Sequence, residues 1–274
     1  MQNEELNAIV AQKIEISPEV IILRVVADGW ELSDFIPGQF TILGVPGSYG
    51  RIELSDEEQT PPDPNKLIKK PYSVASSSKS KEYVEFHIAL VRSGVMTPRI
   101  FNLKVGDKIW LSNQFRGIFT LQDVPKESHL ILIATGTGLS PYMSMIRTII
   151  TADMNRKMTV IQGARHSWDL GYSSELFTLT KICKEFNYIP IISLTENEPY
   201  KWKGETGFIH DYWNANKIEK LWGFKPNPSN THIFLCGHPM MLQAMLEILG
   251  LEGFKEHTPK EPGQVHLERF FSNK

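Results

Sequence analysis

His129 to Pro141 reads HLILIATGTGLSP, and the fold turns on this stretch. Leu130 to Ala134 are apolar without a break. Such a run marks a strand covered on both faces, as in a parallel sheet. It ends in Thr135-Gly136-Thr137-Gly138, and a helical pattern starts at Leu139 or Ser140. Strand, glycine turn and helix start put backbone N–H groups and a positive dipole end at the strand's carboxyl end. Glycines carry no Cβ, so a phosphate or a flat cofactor can approach there. The pattern is GxGxxP and lacks the third glycine of the dinucleotide fingerprint. Taken alone, a plain strand-to-helix link is the commoner reading of such a turn.

Downstream the chain alternates. Strands are expected at 129–134, 158–163, 188–194 and 232–236, with helices at about 140–152, 171–186, 208–222 and 239–250. Repeated β-α units predict a doubly wound parallel sheet. Upstream the pattern is β. Strands are expected at 8–16, 20–28, from Pro37 to Val45, at 83–91, within 105–113 and at 116–121, with one short helix ending near Lys104. Closely spaced strands separated by turn residues predict an antiparallel barrel. Residues 46–69 hold four prolines and an acidic run, and read as an irregular surface loop. The polar stretch Asp123 to Glu127 divides a barrel domain at 1–122 from an α/β domain at 127–274. The latter ends in an apolar tail that includes Val265, Leu267, Phe270 and Phe271.

Composition narrows the function classes. A net charge of −2 over 274 residues argues against general nucleic-acid binding. No apolar run approaches the roughly 20 residues that span a bilayer, and the first residues do not read as a secretory signal. Cys183 and Cys236 form no CxxC and no metal spacing, so no metal site or iron–sulfur cluster is expected. A reducing cytoplasm fits, and a monomer is favoured.

The turns at the expected strand ends follow a recognisable order. Lys70-Pro71-Tyr72-Ser73, Gly94-Val95-Met96-Thr97, Gly136-Thr137-Gly138-Leu139-Ser140-Pro141, Leu235-Cys236-Gly237-His238-Pro239 and His266-Leu267-Glu268-Arg269-Phe270-Phe271 together resemble the bacterial ferredoxin/flavodoxin–NADP reductase family, within the plant-type FAD-dependent reductases. The likeness spans nearly the whole chain, and five motifs in one order are more specific than any one.

The resemblance implies an enzyme with FAD and NAD(P)H as cofactors, and assigns roles residue by residue. Tyr72 would stack on the flavin ring, and Ser73 would hydrogen-bond near N5, where hydride arrives. Lys70 stands where the family has Arg; it can neutralise pyrophosphate as a point charge but without the bidentate fork. Gly94, Met96 and Thr97 would seat the FAD phosphates; a turn with a Thr cap reads the same residues. Gly136, Thr137, Gly138 and Pro141 would begin the NAD(P) site, with Thr137 near the flavin–nicotinamide contact. Cys236 and Gly237 would border the nicotinamide pocket; a lone Cys is otherwise a small buried hydrophobe. Glu268 would set the nicotinamide pose, and Phe270 would cover the flavin and move aside for hydride transfer. Phe271 has a counterpart in bacterial members, and simple packing of a terminus reads it equally well.

The 2′-phosphate of NADPH calls for Arg or Lys. Arg165 is the one family arginine kept; Thr195 and Phe208 stand at the positions of two others, though Lys201 or Lys203 could substitute. NADPH and NADH are therefore held nearly even. Lys66, Lys69, Lys70, Lys79 and Lys81 cluster beside the flavin motif, and a basic rim there would steer an acidic ferredoxin; solvated loop lysines are the plainer account of Lys79 and Lys81. The implied function is electron passage between NAD(P)H and ferredoxin or flavodoxin. Its rivals are an NADH-dependent reductase serving an oxygenase or free flavin, and a non-catalytic nucleotide-binding module.

Overall fold

The computed structural model describes residues 5–269, so Phe270 and Phe271 lie outside the described residues. Contacts divide the chain into two compact units.

The first unit runs to Thr120 and also takes in residues 140–149. Its strands are β1 (Ala8–Ser17), β2 (Val20–Ala27), β3 (Phe40–Pro46), β4 (Leu67–Ser73), β5 (Val84–Ala89) and β6 (Lys108–Leu111), with α1 (Thr97–Asn102) between the last two. The sheet order is β4-β3-β6-β1-β2-β5, antiparallel throughout. The two ends of this sheet meet just past β4, where the Ala75 N–H donates to Glu85 O at 2.8 Å and the Glu85 N–H to Ser76 Oγ at 3.2 Å. That closure makes the sheet barrel-like. Inside lie Val10, Leu23, Leu43, Phe86, Ile109 and Leu111, all fully or almost fully buried. Each such side chain contributes about 1.5–3 kcal/mol on burial.

The strand expected at 116–121 does not form. Gly117 has φ +115°, which turns the backbone out of extended geometry, and only the bridge Phe40–Arg116 remains. Ile118 is 73% exposed in consequence. The loop at 46–69 is irregular from Gly47 to Lys66, as expected, yet it is firmly fastened by Arg51, Glu58 and Arg99.

Helix α2 (Ser140–Ile149) follows the glycine turn and packs in this first unit. Pro141 sits in its first turn, where a missing N–H costs nothing. Arg147 Nη1 donates to Glu85 Oε1 at 2.6 Å and to Ala75 O at 2.9 Å, while Arg24 Nε donates to the other Glu85 oxygen at 2.5 Å. The fully buried Glu85 carboxylate thus holds a guanidinium on each oxygen.

The second unit comprises residues 121–139 and those from Ile150 onward. It contains β7 (His129–Thr135), β8 (Met158–Ala164), α3 (Ser173–Ile182), β9 (Phe186–Ile192), β10 (Glu205–Thr206), α4 (Ile209–Asn214), α5 (Lys217–Trp222), β11 (Thr231–Cys236), α6 (Pro239–Leu251) and β12 (Val265–Glu268). Its sheet is parallel in the order β10-β9-β8-β7-β11-β12. The central strands are buried along their apolar runs, β11 over its whole length. The single helix expected at 208–222 is two: Asn216 has φ +52°, a left-handed conformation that Asn tolerates and that stops α4 before α5 begins. The apolar tail begins as the edge strand β12.

Candidate active site

In the second unit the chain runs from β7 outward through β8, β9 and β10, then returns to the other side of β7 as β11. The strand order therefore reverses between β7 and β11. Open α/β sheets place ligands at that point, outside the strands' carboxyl ends. Thr135–Gly138 and Cys236–Gly237 are those ends, brought level by the pairing of Cys236 with Ala134.

The two turns interlock through their backbones. A Cβ on Gly138 would lie 2.4 Å from Cys236 O, and one on Gly237, at φ +139°, would lie 2.2 Å from Thr135 Oγ1. Thr135 Oγ1 also accepts the His238 N–H at 2.7 Å. Gly138 and Gly237 thus serve close packing of one turn on the other. Gly136 differs: it has φ +55°, is exposed, and has no heavy atom within 4 Å of where a Cβ would stand. Of the three glycines, it alone leaves a clear approach. Thr137, half-buried, lies in the 3₁₀ turn that leads into α2.

Cys236 is fully buried at the end of β11, and Glu268 stands opposite it on β12. The thiol Sγ lies 3.6 Å from Glu268 Oε2, within reach of a weak S–H hydrogen bond. Burial, then the Glu268 charge, pushes the thiol up. Cys236 is a neutral thiol at physiological pH, suited to contact and poorly suited to nucleophilic attack.

Arg165, Thr195 and Phe208 follow the carboxyl ends of β8, β9 and β10 and are all exposed. The β8–β9 pairing continues one step beyond both strands, with the Leu194 N–H donating to Arg165 O at 2.9 Å. Arg165 and Thr195 therefore follow neighbouring strands at the sheet's carboxyl end. Phe208 is 60% exposed and stacks on His210 at 5.5 Å. Lys201 and Lys203, also exposed, lie on the loop before β10.

In the first unit, Tyr72 and Ser73 end β4. Tyr72 packs on the barrel core, with its ring edge-on to Phe86 at 6.3 Å, and Ser73 is buried. Burial pushes the Tyr72 phenol up, so it stays a neutral donor. By strand alternation Lys70 shares the Tyr72 face and is exposed. Lys69 points the other way and lays its Nζ over the Trp110 ring at 3.7 Å. Lys66 pairs with Asp63 at 3.6 Å and Lys81 with Asp34, whereas Lys70 and Lys79 are exposed.

Gly94 to Thr97 form the turn into α1. The N-cap is Met96 without a side-chain cap bond, so Thr97 does not cap the helix. Its hydroxyl accepts the Val91 N–H at 2.9 Å and donates to Val91 O at 3.3 Å. The group that the resemblance offers to a phosphate is tied to Val91 here.

Sequence reasoning missed what braces this turn. Arg51 donates to Gly94 O at 2.8 Å and Arg99 to Val95 O at 2.7 Å, and both guanidinium groups share the Glu58 carboxylate. Arg99, on α1, is only 4% exposed. Its hydrogen bonds, foremost, hold Glu58 below the usual carboxylate range. Glu58 lies in the acidic run Asp56-Glu57-Glu58, which reads as solvated surface, so no signal in the sequence marks it.

Residues 59–116 match the oxidoreductase FAD-binding domain family and residues 132–247 the oxidoreductase NAD-binding domain family. Fold and site thus define an oxidoreductase that uses FAD and a nicotinamide nucleotide. Ferredoxin–NADP reductase of Pseudomonas aeruginosa is 30% identical, over 74% of this chain and 80% of its own. Flavodoxin/ferredoxin–NADP reductase of Buchnera aphidicola is 28% identical, over 88% and 89%. The reductase component of a Pseudomonas phenol 2-monooxygenase is 31% identical over 98% of this chain and 66% of its own. Among solved structures, a ferredoxin NADP+ reductase from Neisseria gonorrhoeae with bound FAD and NADP shares the fold, with a TM-score of 0.79, 21% identity and coverage of 97% and 98%. The chain belongs to the plant-type ferredoxin–NADP reductase family.

The residues present fit both cofactors. Gly136 leaves open space at the switch point, and Tyr72 offers an aromatic ring at a strand end. Arg165 offers a guanidinium with no hydrogen bond or ion pair among the described residues.

Proposed function

We propose that the protein passes electrons between NAD(P)H and a one-electron carrier, a ferredoxin or flavodoxin, as a cytoplasmic monomer. The observation that carries the hydride site is the meeting of Cys236 and Glu268 beside the Gly136 turn at the switch point. FAD, when bound, accepts two electrons together and releases them one at a time. Tyr72 and Ser73 hold it at the end of β4, with Lys70 countering phosphate charge. The Gly94–Thr97 turn is kept in shape by Arg51, Arg99 and Glu58. Gly136 and Thr137 receive the nicotinamide end of the dinucleotide, with Gly237 beside them, and Gly138, Gly237 and Pro141 fix the course of the turns. The neutral Cys236 thiol gives a close contact without competing as a nucleophile. Glu268 accepts a hydrogen bond that fixes the nicotinamide angle. The role proposed for Phe270, and with it Phe271, is to cover the flavin and yield to the nicotinamide. No side chain is required to form a covalent bond; the residues act by orientation.

Arg165 is the guanidinium available to a 2′-phosphate, and Thr195 and Phe208 add no charge there. NADPH and NADH should both reduce the flavin. Stopped-flow reduction of the bound flavin with each nicotinamide tests the reading, and failure of both to bleach the flavin band rejects it. The 31% identity to a monooxygenase reductase component supports a second reading, service to an oxygenase. Turnover with ferredoxin, flavodoxin and an isolated oxygenase component, compared at equal concentration, separates the two.

A further inference from the structure

Three imidazoles gather at the β11–β12 edge, outside the site described above. His232 on β11 and His266 on β12 are both less than a tenth exposed, and His232 Nδ1 lies 3.0 Å from His266 Nε2. His266 stacks on Phe234 at 4.2 Å, and His257 stacks on His266 at 4.5 Å. His257 is anchored in turn: its Nδ1 accepts the Gly263 N–H at 3.3 Å, and its Nε2 stands 3.6 Å from Asp123. Among the described residues no group of His, Cys, Asp and Glu side chains is arranged to hold a metal ion.

We propose that His232 and His266 clamp β12 onto β11 in the register that places Glu268 beside Cys236. The strand gives reason for a clamp. It has four residues and stands last in the sheet order, with β11 as its ladder partner on one side and a single bridge, Glu256–Val265, at its first residue on the other. A slip of one residue would turn its side chains to the opposite face and carry Glu268 away from Cys236. The imidazole hydrogen bond ties the two strands diagonally, from His232, four residues before Cys236, to His266, two before Glu268.

The clamp has a built-in sensitivity to acid. One hydrogen lies between two ring nitrogens, so both rings cannot be protonated while the bond lasts. The groups facing His266 are His232, His257 and, through His257, Asp123; the Glu256–Arg269 ion pair flanks the strand at 3.3 Å. Asp123 is directed at His257, and nothing acidic is directed at the shared bond. Burial lowers both clamp rings, His266 to about 3, with the other imidazoles adding to the effect. Depressed imidazole values mean that the unfolded chain binds more protons. The clamp's contribution is therefore complete above about pH 6.5, the ordinary histidine value, and is lost as pH falls from there toward the folded values.

The consequence for catalysis rests on the reading of Cys236 and Glu268 as the hydride-transfer pair; the clamp itself does not. The test uses the FAD-loaded enzyme in a Cys183→Ser background, with iodoacetamide labelling of Cys236 and hydrogen exchange of the β12 amides from pH 8 to 5. His266→Phe keeps the stacking but removes the shared hydrogen, and His266→Gln restores a donor. With the clamp, His266→Phe labels about five- to tenfold faster than the parent at pH 7.5, the equivalent of one hydrogen bond lost. The ratio narrows toward pH 5, and His266→Gln returns toward the parent. The limiting rate of flavin reduction falls in His266→Phe, while the nicotinamide concentration dependence holds. Labelling and exchange equal to the parent in His266→Phe overturn the clamp. Should His266→Phe fail to fold, the parent decides: a protection of the β12 amides, corrected for the intrinsic slowing of exchange in acid, that does not fall below pH 6.5 overturns it. If the clamp signals appear but Glu268→Gln reduces its flavin as fast as the parent, the hydride-site reading fails and the clamp stands.

Discussion

At the scale of single residues, the glycines of the opening stretch separate by what surrounds them. Gly138→Ala drives a methyl into the Cys236 carbonyl and should cost about 1–3 kcal/mol in urea unfolding. Gly136→Ala meets open space and bears only its left-handed backbone, about 1 kcal/mol. Gly136→Ala should nevertheless be the more harmful to nicotinamide affinity, since its methyl occupies the approach. Equal binding losses in the two variants would refute that division. Arg165→Ala should raise the NADPH requirement about tenfold or more, the loss of charge-assisted hydrogen bonds, and leave NADH unchanged in steady-state kinetics. The glycines were visible in the sequence; their separate duties were not. A glycine needed for φ, one needed for backbone contact and one needed for a ligand are the same letter, and only the partner strand, a hundred residues away, tells them apart.

At the scale of elements, periodicity found most strands and helices because buried faces impose it. It failed where one backbone angle overrules the pattern. RGIFTL alternates like a strand, but Gly117 breaks it after one bridge. Residues 208–222 have a helical pattern on both sides of Asn216, whose left-handed φ splits them. The 47–66 loop is the larger omission. Its proline content was legible, while the Arg51–Glu58–Arg99 brace depends on side chains far apart in sequence. Glu58→Gln should destabilise the first unit by about 2–3 kcal/mol, because two guanidinium groups lose their shared anion. A depressed carboxylate value stabilises above the ordinary range and loses that contribution as pH falls through the folded value. Acid unfolding of the parent should therefore show a limb below the ordinary carboxylate range that Glu58→Gln lacks, read by circular dichroism.

For the whole molecule, the sequence marked both architectures and their order, because an antiparallel barrel and a parallel sheet leave different patterns. It did not show which lysines are committed elsewhere. Lys69 rests on Trp110, and Lys66 and Lys81 have acidic partners, so Lys70 and Lys79 carry what remains of a basic rim. Lys79→Glu should slow reduction of an acidic ferredoxin at low salt and leave ferricyanide reduction unchanged; a loss that persists at high salt argues against steering. Helix α2 bears on how the chain is made. It packs in the first unit, yet about twenty residues separate it from the rest of that unit, and they include β7 of the other. A ribosome releasing the chain in order delivers the barrel's strands first, with Arg24 already beside Glu85. The Arg147 guanidinium arrives after β7 has been synthesised. A chain cut after residue 122 would lose one of the two guanidinium partners of Glu85 and the burial of Tyr142 and Met145. The first unit is therefore finished only when the second has begun to emerge, and the first half of the sequence is not a free-standing piece.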